Sequence, residues 1–202
     1  GYTKLGFMGG MAVPAVVRFG YGFVQGAEAA AKELGLTEVT VNYYYTGSFD
    51  ATPEAQALAA SWYNDGVEVI FACGGSMFQS IVAAAAANDG AVIGVDVDQS
   101  FESDTVITSA MKGLAASVEW ACAKVYDGTW AEIGGNGTGT SLGAADGAVG
   151  LPTATWSLEG WTVEAYEAML ADMASGALVV DNGSAVAAPA STENATVNII
   201  GG

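Results

Sequence analysis

Short runs rich in β-branched and aromatic residues alternate with longer stretches of helical period from the first residues of the chain. Lys4 to Met8, Val39 to Tyr45, Val67 to Ala72 and Ala91 to Val95 predict four β-strands. Between the first two, Val16, Phe19, Phe23 and Ala27 fall on one helical stripe, with Pro14 near its start and Gly35 as a stop signal. Further helices are expected from Pro53 to about Asn64 and from Met77 to Asn88, the latter through the tract Ala83 to Ala87. A fifth strand, Thr105 to Ser109, precedes a helix from about Leu114 to Tyr126 that stops at Asp127-Gly128. Repeated βα units of this kind predict an α/β fold, a doubly wound parallel sheet with right-handed crossovers.

The pattern loosens beyond that point. Gly134 to Gly150 is rich in Gly and Thr and reads as loop and hairpin, with strand candidates at Gly139 to Leu142 and Ala148 to Leu151. A helix from about Thr162 to Ser175 leads to another strand candidate, Leu178 to Val180. The tail from Ala185 to Ala195 is small and polar, and the apolar Val197-Asn198-Ile199-Ile200 follows it. Trp156 and Trp161 flank Gly160 where the chain is expected to leave the lobe, which suits a contact role.

Composition narrows the classes. A chain of 202 residues, 51% hydrophobic, can bury one sizeable core and falls short of two full domains. No apolar run approaches the roughly 18 to 20 residues that span a bilayer. Five Lys plus Arg against 22 Asp plus Glu leave a net charge of -17, which repels nucleic acid. The absence of His removes the commonest general base and metal ligand, together with Ser-His-Asp and Cys-His chemistry, so a metal site and an enzyme are both disfavoured. Cys73 and Cys122 are expected to be a buried, unbridged pair. Asn136-Gly137-Thr138 and Asn194-Ala195-Thr196 fit a glycosylation pattern that carries little weight without a secretory context.

In an open parallel sheet, ligands bind at the carboxyl ends of the strands, and the polar groups of this chain gather there. Val92-Ile93-Gly94-Val95 runs into Asp96 and Asp98, and Thr108-Ser109-Ala110-Met111 runs into Lys112. A carboxylate beside an ammonium can hold vicinal hydroxyls through charge-assisted hydrogen bonds. Asp96 is the favoured partner because it directly ends the apolar run, although alternation leaves Asp98 open. Gly74-Gly75-Ser76 opens a helix after a buried strand, where backbone amides meet an anion or a hydroxyl as readily as glycine simply allows a tight turn. Phe49, after the second strand, is either folded on the core or exposed to stack on a flat ligand. Gly6-Phe7-Met8-Gly9-Gly10-Met11 lacks the spacing of a dinucleotide fingerprint, so no cofactor is expected.

Taken together, these segments resemble the basic membrane protein family of bacterial substrate-binding lipoproteins, the purine nucleoside receptor type that serves ABC transporters. The matching segments are Gly6 to Met11 with Pro14, Arg18-Phe19 and Gly22-Phe23; Val41-Asn42-Tyr43 with Gly47-Ser48-Phe49; Phe71 to Gly75; Gly94 to Gln99; Thr108 to Lys112; and Gly147 to Leu151. The resemblance implies a type I periplasmic-binding-protein-like clamp of two lobes. It further implies that Phe49 stacks on the base, Gly75 contacts the ligand through its backbone, and Asp96 and Lys112 bind the ribose hydroxyls, with Gly74 and Asp98 as lesser candidates. Its partners would be a purine nucleoside and an ABC permease, with the membrane reached only through a lipid anchor that this chain does not carry, in an extracytoplasmic setting.

Family members have a first lobe before the Gly-Phe-Met-Gly-Gly strand, and this chain begins almost on that strand. Residues 1–150 are therefore expected to form the second lobe, and residues 151–202 to cross back and pack on a first lobe that is missing. Trp156 to Ile200 would then be disordered or would pair with another copy near Val197 to Ile200. The alternative function is a regulator, cytosolic or membrane-linked, using the same domain to sense nucleosides.

Overall fold

The computed structural model describes residues 1–133, 139–182 and 187–201. Its strands are β1 (Lys4–Gly9), β2 (Val39–Tyr45), β3 (Val69–Cys73), β4 (Ala91–Asp96), β5 (Val106–Lys112), β6 (Val149–Gly150) and β7 (Ala195–Ile199). The helices are α1 (Pro14–Leu34), α2 (Pro53–Asn64), α3 (Met77–Ala87), α4 (Leu114–Tyr126), the single turn α5 (Trp130–Ile133) and α6 (Val163–Ser175). They build one seven-stranded sheet in the order β6-β5-β4-β3-β1-β2-β7, parallel throughout except for β6, which pairs antiparallel with β5. The mixed α/β, doubly wound sheet expected from the sequence is the fold.

Period-two alternation sends each central strand's side chains to two separate cores. Leu5 and Phe7 of β1, with Val69, Phe71 and Cys73 of β3, face α1 and pack with its Val16, Val24 and Ala31. Met8, Ile70 and Ala72 face the other way, onto Ala59 and Trp62 of α2 and Phe78 and Ile81 of α3. The α1 side is aromatic: Phe7 stacks on Tyr43 with centroids 4.4 Å apart, and Phe71 meets Phe7, Phe19 and Phe23 edge-on. Proline in the first turn and a left-handed Gly35 (φ 67°) bound α1 as its sequence signals predict. Gly20 inside that helix is explained by proximity, since a Cβ there would lie 1.9 Å from the Tyr43 hydroxyl.

Several local expectations are corrected. Leu178 to Val180 is not a strand: α6 ends at a left-handed Gly176, and the Leu178 amide donates back to the Asp172 carbonyl, a helix-terminating bond that replaces strand pairing. Residues 139–142 are likewise irregular, and Asn136-Gly137-Thr138 lies outside the described residues. The apolar tail takes a place in the chain's own sheet instead: β7 adds in parallel to β2 as its outermost strand, with Val39↔Ala195 through Tyr43↔Ile199 in register. Glu28 of α1 holds the approach to that strand, accepting hydrogen bonds from Thr192 Oγ1, Asn194 N and Asn194 Nδ2 at 2.6, 2.8 and 2.9 Å.

Helix α4 forms where expected, but none of its residues is buried, so it does not complete the lobe's core as a sheet-covering helix would. Val118 and Val125 are 61% and 57% exposed, and Tyr126 is 90% exposed. Cys122 on this helix is exposed too, which corrects the expectation of a buried pair; Cys73 is buried, and both cysteines are free. Trp156, Trp161 and Tyr166 form a small aromatic cluster of their own, with centroids 5.5 to 5.9 Å apart, and the Trp156 indole donates to the Trp161 carbonyl. Among the described residues no helix is long and apolar enough to cross a membrane.

Candidate functional site

Because β1 to β5 run parallel, the loops that follow them all open on one edge of the sheet. A cavity of about 230 Å³ lies there, lined by Phe49, Gly74, Gly75, Asp96 and Lys112, with Val16, Phe19 and Val95 as its apolar wall. Five of the six residues singled out from the sequence thus meet in one place. Asp98 does not line this cavity. Its carboxylate accepts from Thr155 Oγ1 at 2.7 Å and from the Ser100 amide at 3.0 Å, so it ties the segment after β6 to the loop after β4. Against the cost of burial, these hydrogen bonds hold the Asp98 carboxyl below the usual carboxylate range.

Each lining group is held by its own local geometry. Phe49 is clamped twice: its carbonyl accepts from the Met77 amide at 3.0 Å and from Ser76 Oγ at 3.1 Å, at the start of α3. Its ring lies over two glycines, since a Cβ on Gly10 or Gly74 would sit 2.3 or 3.0 Å from Phe49 Cδ1. Gly75, left-handed at φ 50°, lets the chain turn from β3 into α3 against the Phe49 backbone.

Asp96 ends β4 with φ 71°, a left-handed conformation that is costly for a residue with a side chain. The Val97 amide donates to the Val95 carbonyl across it at 2.8 Å, closing a tight γ-turn with Asp96 at its apex. The turn brings Asp96 Oδ1 to 2.6 Å from Lys112 Nζ, and both side chains remain partly exposed. Lys112 Nζ also sits 5.2 Å from the centroid of Phe19, within cation–π range. Beneath the pair, burial pushes the Cys73 thiol up to about 12, with Lys112 pulling weakly the other way, so Cys73 serves as an inert floor.

Phe19 is the site residue that sequence reasoning missed. Its place on the apolar stripe of α1 made it a core residue, whereas it stands at the core's upper rim, next to the cavity. Position was the available signal, because it lies only five residues after Pro14, in the first turns nearest the strand ends. A larger hollow of about 420 Å³ opens at the opposite edge, among Tyr2, Glu68, Asp89 and Asp104. It lies at the amino ends of the strands, carries carboxylates without a cation in its lining, and lacks the geometry of a binding edge.

Residues 2–169 match the family model for the Bmp, PnrA-like ABC transporter substrate-binding proteins. The chain belongs to that family. Members are substrate-binding proteins rather than enzymes. Among curated relatives, the ABC transporter nucleoside-binding protein BmpA of Lactococcus lactis is 28% identical over 144 residues, covering 62% of this chain and 40% of the relative. Basic membrane protein B of Borreliella burgdorferi is 32% identical over 154 residues, covering 75% of this chain and 43% of the relative. Among solved structures, an ABC transporter solute-binding protein from Aeropyrum pernix superimposes with a TM-score of 0.61 at 26% identity, covering 89% of this chain and 52% of that one. The chain thus spans about half the length of the relatives it matches.

Proposed function

We propose that the cavity at the carboxyl edge binds a purine nucleoside, and that the chain acts as the ligand-gripping second lobe of an extracytoplasmic solute-binding protein that delivers it to an ABC permease. The observation that carries the reading is the juxtaposition of an aromatic ring, Phe49, with the Asp96–Lys112 ion pair in one cavity. A nucleoside has one flat apolar part and one pair of vicinal hydroxyls, and these two features answer them. The base stacks on Phe49, a contact worth about 1–3 kcal/mol. The carboxylate of Asp96 accepts from the ribose hydroxyls while the Lys112 ammonium donates, each such charged hydrogen bond contributing about 1.5–3 kcal/mol. Gly75 adds backbone contact where a side chain would obstruct it.

Size supports a clamp. At about 230 Å³ the cavity is smaller than the roughly 300–1,000 Å³ in which small ligands are usually enclosed, so a facing surface completes it. In this reading residues 1–150 are the second lobe, and much of 151–202 runs toward the first, with Ala195–Ile199 returning to the second lobe's sheet. The exposed apolar side chains of α4, which leaves the sheet directly after Lys112, fit a surface that a facing lobe covers. In the full-length protein a lipid anchor would hold the receptor at the membrane.

Isothermal titration of the chain with inosine, guanosine and adenosine tests the reading. Binding is expected, and Asp96→Ala or Lys112→Ala should each weaken it by about tenfold or more, since ~1.4 kcal/mol is one decade. Unchanged affinity in either variant removes that residue from the site. Absence of binding by the chain, alone and within any longer protein that contains it, refutes the nucleoside assignment.

A further inference from the structure

We infer that Gln99 is a positioning residue of this site: seated in the space left by Gly94 and tied to Ser109, its side chain fixes the strained turn that aims Asp96 at Lys112. Gln99 Oε1 accepts from the Val95 amide at 2.8 Å, one residue before Asp96. The Gln99 main-chain N–H donates to Ser109 Oγ at 3.0 Å, on the neighbouring strand, and Ser109 is completely buried. Gly94 is the socket. A Cβ there would stand 2.8 Å from Gln99 Oε1 and 2.6 Å from Ser109 Oγ, so a side chain at position 94 would expel the latch.

The amide orientation of Gln99 is set from its other end. Gln99 Nε2 donates to Glu102 Oε1 at 3.1 Å, and the second Glu102 oxygen accepts from Gln79 Nε2 at 2.8 Å. Donor and acceptor are therefore both committed, and the loop after β4 is anchored to β5 and α3 together. The consequence falls on Asp96. A non-glycine residue at φ 71° persists only where its surroundings over-determine it, and the turn spans Val95 to Val97. Gln99 holds the first residue of that turn from the side, and Ser109 holds Gln99. Without this latch the Asp96 backbone relaxes toward an ordinary extended conformation, and its carboxylate swings off Lys112. Gly94, Gln99 and Ser109 thus act through Asp96, not on the ligand.

The first arm of the test needs no ligand. Gln99→Met keeps the length and apolar bulk of the side chain and removes its acceptor and donor. Crystal structures of the variant are expected to show Asp96 at negative φ with its carboxylate more than about 4 Å from Lys112 Nζ, outside ion-pair range. Exchange of the Val95 amide should accelerate about tenfold, the equivalent of one lost hydrogen bond, while the Phe71 amide in central β3 exchanges as before. Gln99→Glu, which sets a carboxylate against Glu102, should do the same. The paired exchange Gln99→Glu with Glu102→Gln restores a donor–acceptor match and should return both the Asp96 conformation and Val95 protection. A positive φ and intact ion pair in Gln99→Met, or no recovery in the paired exchange, overturns the inference.

The second arm rests on the nucleoside reading and is separable from it. Guanosine affinity should fall about tenfold in Gln99→Met and recover in the paired exchange. Where wild type binds guanosine, equal affinity in Gln99→Met also overturns the positioning role. If wild type binds no nucleoside while Gln99→Met still shows a relaxed Asp96, the positioning role stands and the nucleoside reading falls.

Discussion

Adding one methyl group at Gly10 tests how Phe49 is presented to a ligand. In Gly10→Ala the new Cβ would lie 2.3 Å from Phe49 Cδ1 and 2.5 Å from Cε1, far inside the roughly 3.5–4.0 Å at which two carbons rest. The main chain of Phe49 cannot easily retreat, because Met77 N and Ser76 Oγ both hold its carbonyl. Gly74 closes another side, with its own Cβ position only 3.0 Å from the ring and 2.9 Å from Gly10 N. The cheapest response is rotation of the ring away from the glycines. Overpacking of this kind costs about 1–3 kcal/mol, and escape of a partly exposed ring into solvent puts this case near the lower end. Binding suffers more than folding, since the displaced ring forfeits a stacking contact of about 1–3 kcal/mol. Urea denaturation should therefore show a loss of about 1 kcal/mol, and calorimetry a fall in nucleoside affinity of about tenfold or more. Gly26→Ala is the control. It sits at an exposed position of α1 with nothing near its Cβ, and should gain about 0.5–1 kcal/mol from helix propensity without altering affinity. If Gly10→Ala matches wild type in stability and affinity, Phe49 does not rest on Gly10, and the account of its placement fails.

Two further outcomes follow from other contacts. The hydrogen bond from Thr192, opposed by burial and reinforced by Asn194 and Lys32, holds the Glu28 carboxyl down at about 2, below its ordinary 4.5. Folding lowers this value, so the unfolded chain takes up the proton first; the stabilisation is full above 4.5 and is lost as the pH falls toward 2. The melting-temperature gap between wild type and Glu28→Gln should accordingly narrow across that window, and a pH-independent gap would contradict it. Cys73 is buried with its thiol raised to about 12, whereas Cys122 is exposed, so a thiol reagent should modify Cys122 alone in the native chain and both in denaturant. Rapid native modification of Cys73, seen by peptide mass spectrometry, would show that the floor of the cavity opens.

How much of this was legible beforehand differs from element to element. β1 to β4 and α1 to α3 were read from period and punctuation, because a strand buried on both faces and a helix packed on one must each carry their own local pattern. The site edge was legible for the same reason: once β1 to β5 are parallel, whatever follows each strand arrives on one side, and Phe49, Gly74, Gly75, Asp96 and Lys112 do. Asp98 was ambiguous in sequence, since alternation cannot distinguish a residue that continues a strand from one carried away by a turn. The γ-turn at Asp96 made that choice, and sent Asp98 to Thr155.

The amino-acid order by itself determined the α/β class, the parallel sheet and the residue types offered at its carboxyl edge, all consequences of local propensity and burial period. Only the tertiary structure decided which strands became neighbours. Val197 to Ile199 and Leu178 to Val180 are similarly apolar, yet the first joins β2 as part of β7, fastened by Glu28, while the second is left as an exposed coil after a left-handed Gly176. It also decided that Phe19 belongs to the cavity, that Gln99 reaches back to Val95, and that α4 stands uncovered. These depend on contacts between residues distant in the chain, and pairing of that kind is set by the free energy of the assembled core and edge, which no local pattern encodes.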